Sequence, residues 1–130
     1  MADTRGKPVH GEIHATALTT AVNVPFYEAG AGTSGGGSAI TLASGERLVI
    51  TDAWFISDTA ADVYLFLSHD SDATLEVGET VIRGTVAANG GVAKSFDVTH
   101  RVGSEGATAR IGSGTSAIVD IGFNGYILTV

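Results

Sequence analysis

From Glu46 onward the chain is punctuated. Short β-branched and aromatic runs alternate with Gly, Asn, Asp and Ser clusters, with a turn signal roughly every eight to twelve residues. No stretch supports an amphipathic helix of ordinary length, because the apolar residues recur with period two. Arg47 to Ser57 (RLVITDAWFIS) is apolar on both parities, as a central strand with both faces partly covered would be. Asp62 to His69 places Val63, Leu65 and Leu67 on one face and Tyr64 and Phe66 on the other. Thr80 to Ala87, Val92 to Val102 (Phe96 and Val98 sharing a face) and Gly106 to Gly112 read as further strands. Ser116 to Val130 closes the chain with Val119, Ile121, Phe123 and Ile127 on one parity and Asp120 and Asn124 on the other. Between two of these runs, Ala88-Asn89-Gly90-Gly91 carries the Asn-Gly hairpin signal, since both residues accept positive φ.

The first part of the chain differs. Met1 to Gly11 has several charges, a proline and little that is apolar, and reads as an extended N-terminal arm. In Glu12 to Glu28, Leu18, Val22, Val24 and Phe26 share a parity, and Pro25 puts that strand at an edge or a bend. Gly30 to Ser38 is a Gly/Ser loop, and Ala39 to Ala43 a short strand. The expected fold is therefore all-β: one antiparallel sandwich domain over residues 12–130, preceded by an arm over residues 1–11. About eight strands suit a jelly roll first and an immunoglobulin-like sandwich second.

Composition narrows the function. A net charge of −7 argues against nucleic acid and anionic membranes as partners, while it suits docking onto a basic patch. With no cysteine there are no disulfides, thiolate nucleophiles or thiolate metal sites. No apolar run approaches the roughly 20 residues of a membrane helix, and MADTRGKPVHGE lacks the apolar core of a signal peptide. Nothing in the chain thus directs export by the usual route.

Three motifs carry a chemical suggestion. Gly30 to Gly35 (GAGTSG) matches the dinucleotide fingerprint, with Asp52 about twenty residues further on. That fingerprint needs a helix N-terminus to receive the pyrophosphate, and GGSAITLASGE cannot form one. A P-loop fails too, because Gly36 and Gly37 stand where Lys and Ser/Thr must be. His10 to His14 (HGEIH) resembles a scrambled zinc-protease motif, but in an extended chain its histidines are roughly 13 Å apart, too far for one ion. The turn DSDATLEVGE offers Asp70, Asp72, Thr74, Glu76 and Glu79, as a calcium loop opens, yet its sixth position is Leu75 where an EF-hand needs Gly. An acidic surface turn accounts for it, and calcium binding there is left open.

His69 and His100 read as strand-end or surface residues, and Trp54 as core. No catalytic, cofactor or metal site is expected, so the chain is expected not to be an enzyme.

The run GETVIRGTVAANGGVAKSF (Gly78 to Phe96), with the late GFNGY strand (Gly122 to Tyr126), resembles small virion proteins of tailed bacteriophages. These are the decoration, or cement, proteins on the outside of the capsid. The resemblance extends from about Glu46 to Tyr126 and lies in short Ala/Thr/Val/Gly strands without Cys. It implies a jelly-roll protein assembled in the host cytoplasm, bound to the major capsid protein as a homotrimer. Arg5, Lys7, Pro8, His10 and His14 are the candidate contacts of the arm with shell and neighbours. The alternative is a carbohydrate-binding jelly roll of tail-fibre or lectin type, for which Tyr27, Tyr64 and Tyr126 are the candidate glycan contacts. A cupin-type enzyme would need clustered histidines, and these are scattered.

Overall fold

The computed structural model describes residues 5–18, 21–29, 39–69, 74–96 and 101–129. GAGTSG lies outside them, as do Asp70, Asp72, Val98 and His100. The described residues form ten strands: β1 (Arg5–Leu18), β2 (Val22–Asn23), β3 (Phe26–Glu28), β4 (Glu46–Ser57), β5 (Ala61–Ser68), β6 (Thr80–Val86), β7 (Gly90–Ser95), β8 (Arg101–Val102), β9 (Thr108–Ser113) and β10 (Ala117–Thr129). They form two antiparallel sheets, one ordered β3-β1-β10-β4-β7 with β8 also on β4, the other β2-β9-β5-β6. The all-β sandwich expected from the punctuation is the fold.

The core lies between the sheets. Val119, Ile121, Phe123 and Ile127 of β10 face Val63, Leu65 and Leu67 of β5 across it, with Phe55 and Ile111 fully buried between. Each large apolar side chain taken out of water contributes about 1.5–3 kcal/mol, so these alternating positions carry most of the driving force. Leu18, Val24 and Phe26 are buried too, although their stretch is divided among β1, β2 and β3. Pro25 sits where the chain leaves β2, an edge strand of the smaller sheet, for β3, an edge strand of the larger.

Four local expectations change. Arg5 to Gly11 is not an arm ahead of the sandwich but the first half of β1, paired on one side with β10 and, from Val9 to Gly11, on the other with β3. Its sequence hides this because the inward positions are the buried Val9 and a glycine. A Cβ on Gly11 would lie 2.5 Å from the Phe123 ring, so the missing side chain is what lets Phe123 reach Phe26, ring centroids 6.0 Å apart.

The Asn-Gly turn does form, with Asn89 at φ 60° and Gly90 N–H donating to the Ala87 carbonyl at 2.8 Å. It joins β6 of one sheet to β7 of the other, however, and is no hairpin. Residues 39–43 make no strand; Ile40 N–H instead donates to the Phe26 carbonyl at 2.8 Å. Trp54 is half-buried on the outer face rather than in the core.

Trp54 faces outward because β4 changes parity. Leu48 and Ile50 point inward, and so do Ala53 and Phe55. The switch is a bulge: Asn124 pairs with Asp52 while Gly125 pairs with Ile50, leaving Thr51 as the extra residue. The Thr51 carbonyl accepts from Phe96 N–H at 2.8 Å, and its hydroxyl donates to the Asn124 carbonyl at 3.2 Å.

Candidate functional site

The outer face of the larger sheet is built in rows by its register. One row crosses five strands as Tyr27, His10, Asn124, Asp52 and Ser95. It is hydrogen-bonded: Asn124 Nδ2 donates to Asp52 Oδ2 at 2.9 Å, so its Oδ1 must accept, from His10 Nδ1 at 2.7 Å. Thr51 Oγ1 also lies 3.1 Å from the other Asp52 oxygen, and that oxygen shares the one hydroxyl hydrogen with the Asn124 carbonyl. In the next row Glu12, Gly122, Trp54 and Ala93 stand side by side. Gly122 makes room for the indole, since a Cβ there would be 2.6 Å from Trp54 Nε1. Beyond it, Asp120, Ile56 and Gly91 share a row, and Ile118 pairs with Ala17.

The polar row thus lies between apolar ones, with Trp54, Ile56 and Ile118 on one side and the row Pro8, Tyr126, Val49 and Val102, its last member 50% exposed, on the other. Ile56 and Ile118 are 47% and 46% exposed, on the interior strands β4 and β10. A polar solvent-facing side would be ordinary there. Trp54, Ile56 and Ile118 instead make an apolar corner, flanked by the small residues Gly91, Ala93 and Ala17.

HGEIH lies at the edge of this face. His14 Nε2 is 2.9 Å from Glu12 Oε2, and His10 Nε2 is 3.5 Å from Glu12 Oε1. One carboxylate therefore separates the two imidazoles, and the motif does not converge on a single point. The register of β1 slips between Ile13 and Thr16, where Ala15 has φ 47° and donates its N–H to Asp120 Oδ1 at 2.6 Å.

The remaining candidate contacts are spread along the same strand. Lys7 and Pro8 are exposed, Lys7 with Glu28 at 3.9 Å, and Arg5 begins β1. The three tyrosines do not form one platform. Tyr27 and Tyr126 belong to the larger sheet, whereas Tyr64 covers Gly112 of the smaller one and stacks under Arg83, 5.2 Å from its ring centroid.

A second group gathers at the end of the β5–β6 hairpin. His69, Glu76 and Glu79 bring a nitrogen and two carboxylate oxygens within 4.8 Å of one another, beside a cleft of about 130 Å³ that includes Leu67, Val81 and Gly103. The turn explains the convergence. Glu79 N–H donates to the Glu76 carbonyl at 3.3 Å, and Gly78 has φ 87°, the third position of a type II turn. Glu79 is buried. Burial alone would raise its carboxyl pKa, but N–H donation from His69 (2.9 Å) and Glu76 (2.9 Å) and the His69 ring at 2.5 Å outweigh it, and the pKa is lowered.

In sequence the acidic turn suggests calcium and His69 a strand end; the one sign of their meeting there is the spacing of one histidine and two glutamates around a glycine. Of the described residues that line a larger cleft of about 330 Å³, between residues 23–26, 39–42 and 106–109, none has a titratable side chain.

No protein-family model matches the chain, and no curated protein matches it either.

Proposed function

We propose that this chain is a structural virion protein that sits on the outside of a tailed-phage capsid, binds the major capsid protein as a homotrimer and stabilises the shell. It would assemble in the host cytoplasm. The observation that carries this reading is the set of exposed apolar side chains on the larger sheet, Ile56 and Ile118 beside Trp54 and, at the other end, Val102 of β8. Exposed apolar area in the middle of a sheet is the mark of a surface that another protein covers. The capsid as the setting comes from the resemblance of residues 78–96 and 122–126.

Strand order supports the jelly-roll form of the proposal. Setting aside the short β3 and β8 leaves eight strands, which in chain order run 1-8-3-6 in one sheet and 2-7-4-5 in the other. That is the order two interlocked Greek keys require. The carbohydrate-binding reading gains less, because its three tyrosines are divided between opposite sheets.

The test is co-sedimentation of the untagged protein with expanded, undecorated shells of a panel of tailed phages. Saturable pelleting with one of them, and a higher disruption temperature of the decorated shell, is expected. A folded protein that stays in the supernatant with every shell, and lights up a glycan array instead, would establish the alternative.

A further inference from the structure

We propose that His69 and Glu76 bind a divalent transition-metal ion of the zinc class, with Glu79 as the residue that positions the imidazole. The site is independent of the capsid reading. Its geometry has the three parts such a centre needs.

The first is a fixed ring. Glu79 is buried and holds His69 Nδ1 at 2.5 Å, and the same oxygen accepts the His69 backbone N–H at 2.9 Å. Carboxylate behind imidazole is the arrangement that sets the tautomer of metal-binding histidines. With the Nδ1 hydrogen committed to Glu79, the neutral ring carries its lone pair on Nε2, and the ion takes the place of the proton that would otherwise face Glu76.

The second is a matched ligand spacing. His69 Nε2 and Glu76 Oε2 are 3.4 Å apart. Two ligands about 2.0–2.1 Å from a tetrahedral zinc are separated by about 3.3–3.4 Å, so the two donor atoms already stand at the separation of a zinc-ligand pair. Glu79 itself is excluded from the coordination sphere, because its 2.5 Å approach to Nδ1 is a hydrogen-bond length and its Oε1 is engaged by Glu76 N–H at 2.9 Å.

The third is access. The side chains of His69 and Glu76 are 46% and 41% exposed, so an ion can reach both from solvent. The donor set also selects the ion. Imidazole nitrogen suits zinc, copper or nickel and does not suit calcium, which takes oxygen ligands. An ion here would tie the end of β5 to the turn before β6, and so link metal binding to folding stability.

Calorimetric titration of the untagged full-length chain with ZnCl2 tests this, with circular dichroism to verify the fold of each variant. One saturable ion per chain is expected. His69→Gln and Glu76→Gln, both at exposed side chains, should each weaken binding by about tenfold or more. Glu79→Gln should do so by about tenfold while leaving both ligands in place. His10→Gln should bind as the parent does, and CaCl2 should give no saturable heat. Cobalt substituted for zinc should show visible absorption that His69→Gln abolishes. Absence of saturable zinc binding by the folded parent chain, or undiminished binding by His69→Gln, would overturn the proposal.

Discussion

Ala15 is an alanine in a glycine's conformation. Its φ of 47° is the left-handed region, where a Cβ costs about 1–2 kcal/mol. The surrounding ladder holds it there: β1 pairs with β10 on both sides of the slip, and Asp120 Oδ1 accepts its N–H. Glycine would relieve the steric cost but adds freedom to the unfolded chain, offsetting about 0.5–1 kcal/mol of the gain. Ala15→Gly is therefore expected to stabilise the protein by about 0.5 kcal/mol, read as a small rise in the midpoint of denaturant unfolding at unchanged slope. Destabilisation would mean that the ladder does not impose this conformation. Nothing in HGEIHAT announces the bulge, because the residue that would have signalled it is absent. Trp54 was hidden in a related way. Its neighbours are apolar, and only the bulge at Thr51 decides which of them turn outward.

β1 shows where strand reading succeeds and where it stops. The limits of β4, β5, β6 and β10 were legible to within a residue or two, because Val, Ile and Phe alternate between clear turn residues. β1 was legible only in its second half, since Arg5 to Gly11 buries a valine and a glycine where a reader looks for several large apolar residues. Partner choice was not legible at all. Asn-Gly marks a tight reversal, but whether the reversal returns to the same sheet or crosses to the other depends on what β6 and β7 pair with, and that is decided by β5 and β4. The cluster of His69, Glu76 and Glu79 was missed for the same reason: its members are separated in sequence and joined by a turn. Removing residues 1–11 would strip β3 of its paired partner and expose Phe123 and Phe26. Loss of the cooperative thermal transition in circular dichroism is expected. A truncated chain that melts at the full-length Tm would restore these residues to the status of a separable arm.

The molecule as a whole combines a high net negative charge with an apolar corner in the centre of a sheet. Charge of one sign keeps copies apart, so association requires a specific contact that offsets it. The edges offer little of one on one side, where β2 and β3 are two and three residues long. The face offers more. If Trp54, Ile56 and Ile118 meet a neighbouring copy, a closed ring satisfies every copy equally, and three is the count that goes with the capsid role proposed above. Ile56 lies opposite Asp120, so Ile56→Lys gains a cross-strand partner in the monomer and places a charge in the contact. Multi-angle light scattering of the parent chain and of Ile56→Lys, at equal concentration, separates the outcomes. Three times the chain mass for the parent and a single chain mass for the folded variant is the expected pair of results. A monomeric parent, or a variant that associates as the parent does, would contradict the assignment of this face as the assembly surface.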